Sequence, residues 1–456
     1  MENKVLEYFK EISAIPRCSK NEDKIIKYLI DLSIAKKYSY KVDRAKNVVI
    51  AAGNRENSIA LQSHVDMVCE KRSDSLHDFA KDPITLIFEN DIIRAKDTTL
   101  GADNGIGMSI MLALAEDKDI LSKTDIELLF TTDEETGLNG AKALKEGFIR
   151  SKYMINLDSE NDSEIIIGCA GGRDINGCKQ IEYKNSGKKT TYEITVDGLF
   201  GGHSGIDIDK GRLNAIKVLA NILQHIGDIE IINISGGTRH NVIPVSARCV
   251  FNSNFSKTEI HKIISLNIQQ FRRFEKSIKI EINTLNYISQ VIDNQESMAT
   301  IYTLMALPHG VVEKDRVGVI TSSNLARIKI EDNEIFILLS IRSSNFESKE
   351  NLSTNIFTIF KNSGFECFSE NDYPAWQPDY NSHLLSVAKS VYPDESVTVK
   401  VVHAGLECGI IKEIYPQLDV ISIGPNIKYP HSINENVSIS SISKVYNWCK
   451  KILLSL

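Results

Sequence analysis

The chain has 456 residues, 42% of them hydrophobic and 25% charged, and a formal net charge of −7 at pH 7. A single core stops growing at roughly 250–300 residues, so at least two domains are expected. A mildly acidic chain with no basic block gives no electrostatic footing for nucleic acid or an anionic membrane surface, and no stretch approaches the ~20 apolar residues of a membrane span.

In residues 1–17, Val5, Leu6, Phe9 and Ile12 recur at helical spacing. No basic leader is followed there by an apolar run and a small-residue cleavage site, so no signal peptide is expected and the chain is assigned to the cytoplasm. Strands are predicted at NVVIAAG (47–53), SIALQSHVDM (58–67), DIELLFTT (125–132) and YMINLD (153–158), with a long apolar helix at 103–117. Strand-helix alternation of this kind predicts an α/β domain: a mixed, mostly parallel sheet with helices on both faces.

Near residue 185 the texture changes. YKNSGKKTT (183–191) is polar and turn-prone, and TTYEITVDG (190–198) alternates like a half-exposed antiparallel strand. A helix (211–227) and two strands (229–237, 245–254) follow. A similar order recurs after about 280: NYISQVI (286–292) as a strand, 296–308 as a helix, and 324–344 as a hairpin turning at Glu331-Asp332-Asn333. This suggests an inserted α+β domain built from two similar halves. Beyond YPAWQPD (373–379) the first texture returns, with strands at 396–405 and 419–424 and helices at 407–415 and 438–455. The expected division is therefore 1–185 with 373–456 as one discontinuous domain, and 186–372 as the insertion.

The eight cysteines, Cys18, Cys69, Cys169, Cys178, Cys249, Cys367, Cys408 and Cys449, form no CxxC pair. They read as free, mostly buried thiols, so any metal must be held by His, Asp and Glu.

Acidic and imidazole side chains gather where predicted strands end, which is where ligand sites form in open α/β sheets. His64 and Asp66 lie two apart on a strand and can face one way, the carboxylate orienting the imidazole. Asp103 opens the long helix, where Asp ordinarily serves as an N-cap. Asp133-Glu134-Glu135 follows the apolar strand LLF; such a run is usually a solvated turn, but packed acids repel unless a cation compensates. Asp158 ends the strand at 153–157, and His431 follows VISIGP. Each is weak alone. Together they form an oxygen and nitrogen donor set without thiolate, suited to two divalent ions, zinc first and Mn or Co as alternatives.

SHVDMV, GADNGIG, TTDEETGLNGA, INLDSE, GGHSG, HAGLECG and PHS resemble, in order and spacing, the co-catalytic di-metal peptidases of the carnosinase type. They are most similar to the aminoacyl-histidine (cytosol non-specific) dipeptidase group. The resemblance implies that His64 and Asp158 hold one metal, Glu135 and His431 the other, and Asp103 bridges them. It further implies a cis peptide after Asp103, Glu134 as general base, and Asp66 as the residue orienting His64. His203 resembles an oxyanion-stabilising lid histidine, although a glycine-flanked His is ordinarily a turn residue. Asn241 resembles a lid contact to substrate. Arg342, otherwise a hairpin surface charge, resembles the residue that binds the substrate carboxylate with two parallel bonds. Glu407 could pair with the substrate ammonium, with His403 as a weaker candidate. The implied activity is metal-dependent hydrolysis of Xaa-His and other dipeptides, in a chain that can form a homodimer. Alternatives are a tripeptide aminopeptidase, an N-acyl amino-acid deacylase or, more remotely, an inactive binding protein on the same fold.

Overall fold

A computed structural model describes residues 2–53, 58–315 and 318–456. The chain divides into two compact units. The first takes in the chain up to Cys169, Trp376–Val402 and Leu406–Leu456; the second takes in Ala170–Ala375 and His403–Gly405.

The first unit is built on a sheet whose described strands run Ser39–Val42, Val48–Ala52, Asp125–Thr131, Ser58–His64, Tyr153–Asn156, Asp419–Ser422, Glu164–Cys169 and Thr398–Val402. Every residue of Asp125–Thr131 is buried, as are six of the seven in Ser58–His64. Side chains alternate along a strand, so both faces of the sheet are covered, as a central parallel arrangement requires. The pairing of Ser58–His64 with Asp125–Thr131 and with Tyr153–Asn156 is parallel, and so is that of Tyr153–Asn156 with Asp419–Ser422. The carboxyl ends of these four strands therefore meet at one edge. Behind them lies the helix Ala102–Leu114, buried at every position except Asp103. Its all-round apolar character makes it a core helix rather than a surface one. A separate small sheet joins Ile427–Lys428, Asn436–Ser438, Ile92–Ala95 and Leu86–Glu89. The fold class read from the sequence, a mixed and mostly parallel α/β sheet with helices, is what this unit shows.

The second unit is an antiparallel sheet with the helices Ala215–Ile226, Lys257–Arg272, Asn294–Ala306 and Phe346–Asn362. Its central hairpin pairs Val319–Glu331 with Glu334–Ser343. Asp332 and Asn333 turn it at φ 50° and 60°, the two-residue geometry that matches the twist of the strands.

Three expectations are corrected. The change of unit falls at Cys169/Ala170, not near 185, because Gly171–Gln180 is a strand of the second sheet, paired with Glu334–Ser343 and Glu366–Tyr373. NYISQVI is strand only at Gln290–Val291; the amide of Ile288 is satisfied by the Thr191 hydroxyl and its carbonyl by Asn252, so side chains replace a ladder partner. The cysteines are not all free: Cys18 and Cys69 form a disulfide with Cα atoms 5.7 Å apart. A parallel bridge between Cys18 and Met67 lays the two segments side by side, which a separation of 51 residues in the chain does not reveal.

Closing a loop of that length is worth about 4 kcal/mol by chain entropy. Cys69→Ser is expected to move the urea transition of the first unit to lower concentration by a comparable free energy. Alkylation of freshly lysed cells in denaturant without reductant should label six of the eight cysteines.

Candidate metal centre

His64 is the last residue of its strand, and Asp158 stands two residues beyond Tyr153–Asn156. Beyond Asp125–Thr131 the chain turns at Asp133, φ 49°, and the Glu134 carbonyl accepts from the amides of Gly137 and Leu138. That tight turn presents Glu134 and Glu135 next to the His64 strand. Asp103 does not act as a helix cap: it sits at a kink with a non-helical φ of −80° and ψ of 109°, and its two carboxylate oxygens bond histidines. The Asp103–Asn104 peptide is cis. His431 sits in the left-handed region at φ 58°, an uncommon backbone state that His tolerates better than most residues.

These turns converge. Asp103 Oδ1 lies 3.0 Å from His64 Nε2, and Asp103 Oδ2 lies 3.1 Å from His431 Nε2. His64 Nε2 is also 3.3 Å from Asp158 Oδ1, and His431 Nε2 is 3.0 Å from Glu135 Oε2. Two donor triads result, His64–Asp103–Asp158 and Asp103–Glu135–His431, each with its donor atoms within 4.8 Å of one another, and they share Asp103. A third group joins His64, Glu134 and Glu135. Asp66, fully buried, accepts from the amides of Glu134 and Glu135 at 3.0 and 3.2 Å and from Ser19 Oγ at 2.8 Å. Its Oδ1 is 3.4 Å from His64 Nδ1, which leaves Nε2 facing the acidic cluster.

The electrostatics show what the cluster lacks. Burial draws the His64 imidazole down, but Asp158, Asp103 and Asp66 carry it well above its usual range. Burial likewise opposes charge on His431, yet Asp103 and Glu135 push it up to about 11. Asp103, despite burial, is held well below the carboxylate range by its bonds to His431 and His64. Burial raises Glu134 well above that range; His64 opposes, and Glu135, Asp158 and Glu407 add to the rise. Glu135 and Asp158 are also raised, by burial first and by Asp103 among their neighbours. Carboxylates outnumber imidazoles, and the surplus attracts positive charge. Glu135 Oε1 is buried without a hydrogen-bond partner. An unmet oxygen donor beside nitrogen and oxygen neighbours, with no thiolate, fits a divalent cation of the zinc, manganese or cobalt type.

A model of Peptidase family M20/M25/M40 matches residues 60–455. This chain belongs to that peptidase family. It is 33% identical to the cytosol non-specific dipeptidase of Escherichia coli (strain K12), over 98% of this chain and 96% of that protein. The crystal structure of aminoacylhistidine dipeptidase from Vibrio alginolyticus matches with a TM-score of 0.85 at 31% identity, covering 99% of this chain and 96% of that one. A tripeptidase from Staphylococcus aureus shares the fold, with a TM-score of 0.60 at 16% identity over 100% of this chain and 98% of its own. The family resemblance carried by the motifs is thus borne out.

In this M20-family chain the remaining candidates separate by unit. Glu407 belongs to the first and is fully buried; its Oε2 accepts from Gln62 Nε2 and Thr131 Oγ1, both at 2.6 Å, and its Oε1 has no partner. Burial, against the pull of His64, pushes its carboxyl up to about 7. His203, Asn241, Arg342 and His403 belong to the second unit. His203 Nδ1 accepts from the Gly205 amide at 3.1 Å, so Nε2 carries the ring proton. The Asn241 carbonyl accepts from the Ser204 amide at 2.8 Å, which sets Asn241 beside the His203 turn. Arg342, 7% exposed, donates from Nη1 to the Tyr373 hydroxyl at 2.8 Å, while its buried Nε has no partner. His403 Nε2 bonds Ser322 Oγ at 2.7 Å; burial, then Arg342, lowers its imidazole to about 4.

Two residues that the motifs did not single out frame the first-unit cluster. Arg17, 1% exposed, donates from Nη1 to the carbonyls of Val65 and Asp66 at 3.0 and 2.8 Å, and from Nη2 to that of Gly101. Glu435, 2% exposed, accepts from the amides of residues 100–103. No local pattern marks either one, because each grips backbone far away in the chain.

A Cβ on Gly105 would lie 2.6 Å from Arg17 Nη2. Helix propensity alone favours Ala over Gly by about 1 kcal/mol, but a guanidinium pinned by three carbonyls has nowhere to retreat, and overpacking costs about 1–3 kcal/mol. Gly105→Ala is therefore expected to destabilise the protein in urea denaturation, against the sign of its helix propensity.

Proposed function

We propose that the chain is a metal-dependent dipeptidase, with His64, Asp158, Asp103, Glu135 and His431 as the ligands of two divalent ions, zinc first and Mn or Co as alternatives. The observation that carries this reading is the Asp103 carboxylate, which turns one oxygen to His64 and the other to His431. The names of the E. coli and Vibrio relatives support a dipeptide as the substrate. When bound, the ions would supply Lewis acidity, polarising the scissile carbonyl and lowering the pKa of water towards neutrality.

The chain's own residues do the rest. Asp66 accepts from His64 Nδ1–H and so keeps Nε2 directed at the ligand cluster. Glu134 takes a proton from the attacking water as its oxygen adds to the peptide carbon. It then gives that proton to the amine nitrogen as the C–N bond breaks, leaving a carboxylic acid and an amine, which become carboxylate and ammonium when the acid's remaining proton passes to the amine. Burial raises its carboxyl above that of an exposed Glu, which favours taking the proton. In the second unit, Arg342 is assigned the substrate carboxylate: a buried guanidinium with a spare Nε donor suits a planar anion. His203, with its proton on Nε2, is assigned the carbonyl oxygen as negative charge develops there; such a donor is typically worth about 2.7–4 kcal/mol. Asn241 and His403 are assigned to the substrate wall, and Glu407 Oε1 to the substrate ammonium. A homodimer, readable by sedimentation velocity, is part of the proposal. So is a cytoplasmic location, the compartment that names the E. coli relative. Disulfides are uncommon there, so the alkylation experiment also tests the compartment.

Chelated protein, given back Zn, Mn or Co singly, should cleave Ala-His and Leu-Gly but not a tripeptide or an N-acetyl amino acid. Cleavage of only the tripeptide or only the acetylated compound would move the chain to an aminopeptidase or deacylase reading. Inactivity with two ions bound would leave a binding protein. Glu134→Ala should lower kcat at least 10²–10⁴-fold while elemental analysis still finds both ions; near-normal turnover would remove Glu134 from its role. Arg342→Ala should raise KM for dipeptides and abolish the preference for a free dipeptide over its C-terminal amide.

A further inference from the structure

The four amides at the start of an α-helix have no partner within the helix. In the helix Ala102–Leu114 the first two of them, and the two amides before the helix, are taken by one distant carboxylate. Glu435 Oε2 accepts from the amides of Leu100 and Gly101 at 2.7 and 2.9 Å, and Oε1 from those of Ala102 and Asp103 at 2.8 and 3.2 Å. On the carbonyl side of the same loop, Arg17 holds Gly101 O, and its guanidinium also holds Val65 O and Asp66 O. Opposite charges thus grip the peptide on both sides, immediately before Asp103 projects its side chain. Glu435 is in turn fixed by its own surroundings. Its amide donates to Ser432 O at 3.0 Å, and the strand Asn436–Ser438 begins at the next residue, pairing with Ile92–Ala95. His431 lies four residues earlier on the same turn and meets Asp103 Oδ2.

We propose that Glu435 is a positioning residue of the metal centre. Its carboxylate fixes the backbone that delivers Asp103, and one short turn thereby sets both His431 and its shared partner. The inference rests on the two-ion reading above. A capping carboxylate that merely finished the helix would stabilise the fold and leave ion binding untouched; a positioning carboxylate must change the affinity for ions.

Glu435→Gln removes the charge and places an NH2 group against backbone N–H donors, so two of the four amides lose their acceptor. Zn²⁺ affinity, read by competition with a chromophoric chelator, is expected to fall about 10- to 100-fold at one site or both. The curve of activity against added Zn²⁺ should shift by the same factor, with KM for the dipeptide unchanged at saturating metal. Glu127→Gln is the control: Glu127 is a buried carboxylate that accepts from the amides of Arg150 and Ser151 near the opposite end of its strand, and its loss should lower stability without shifting the Zn²⁺ curve. Glu435→Asp keeps the charge one methylene short. It should give an intermediate shift and decides the matter if the Gln variant does not fold. Wild-type Zn²⁺ affinity in a folded Glu435 variant would overturn the proposal. A wild-type protein that binds no Zn²⁺ would instead overturn the two-ion reading.

Discussion

Carboxylates crowded at the buried edge of a sheet repel one another, and in this protein the first unit is organised around that repulsion. Asp66, Asp103, Glu134, Glu135, Asp158 and Glu407 lie within electrostatic reach of His64 or of each other. Burying a carboxylate without compensation costs several kcal/mol. Two imidazoles and the buried Arg17 supply part of the balance. Amide donors supply a further part: to Asp66 from the Glu134–Glu135 turn, and to Glu435 from the Leu100–Asp103 loop. A centre that still attracts positive charge after these contributions is one in which divalent cations have a reason to bind.

The sheet makes the crowding affordable. Parallel pairing places the ends of Ser58–His64, Asp125–Thr131, Tyr153–Asn156 and Asp419–Ser422 side by side, so short turns suffice to bring His64, Glu134, Glu135 and Asp158 together. The apolar strands and the helix Ala102–Leu114 supply a rigid, dry base. A site built on such elements holds its geometry better than one built on loops. The second unit has its own core and its own antiparallel sheet. It carries a different chemistry: the buried Arg342 guanidinium, with His403 beside it, whose imidazole is lowered by burial and by that cation.

Much of this could be read along the chain. The acidic and imidazole motifs, the strands that carry them and the family they indicate are local patterns: apolar runs of strand length, each ending in His, Asp or Glu, with a glycine-rich helix start between them. The hairpin turn at Glu331-Asp332-Asn333 was legible to within one residue: Glu331 pairs with Glu334, and Asp332 and Asn333 alone make the turn. The errors came where the deciding contact is remote. Gly171–Gln180 has no strong strand composition and becomes a strand only by lying between Glu334–Ser343 and Glu366–Tyr373. Residues 286–289 look like a strand, but side chains from Thr191 and Asn252 take the hydrogen bonds of Ile288.

By itself, then, the sequence determined the donor types, their order and the elements that present them, since each depends on residues a few positions apart. Only the tertiary structure decided that Asp103 faces two histidines rather than capping its helix, that Cys18 meets Cys69, and that Arg17 and Glu435 grip one loop from both sides. Those contacts join residues 39 to 335 positions apart, and no periodicity or spacing encodes a distance that only the packed sheet creates.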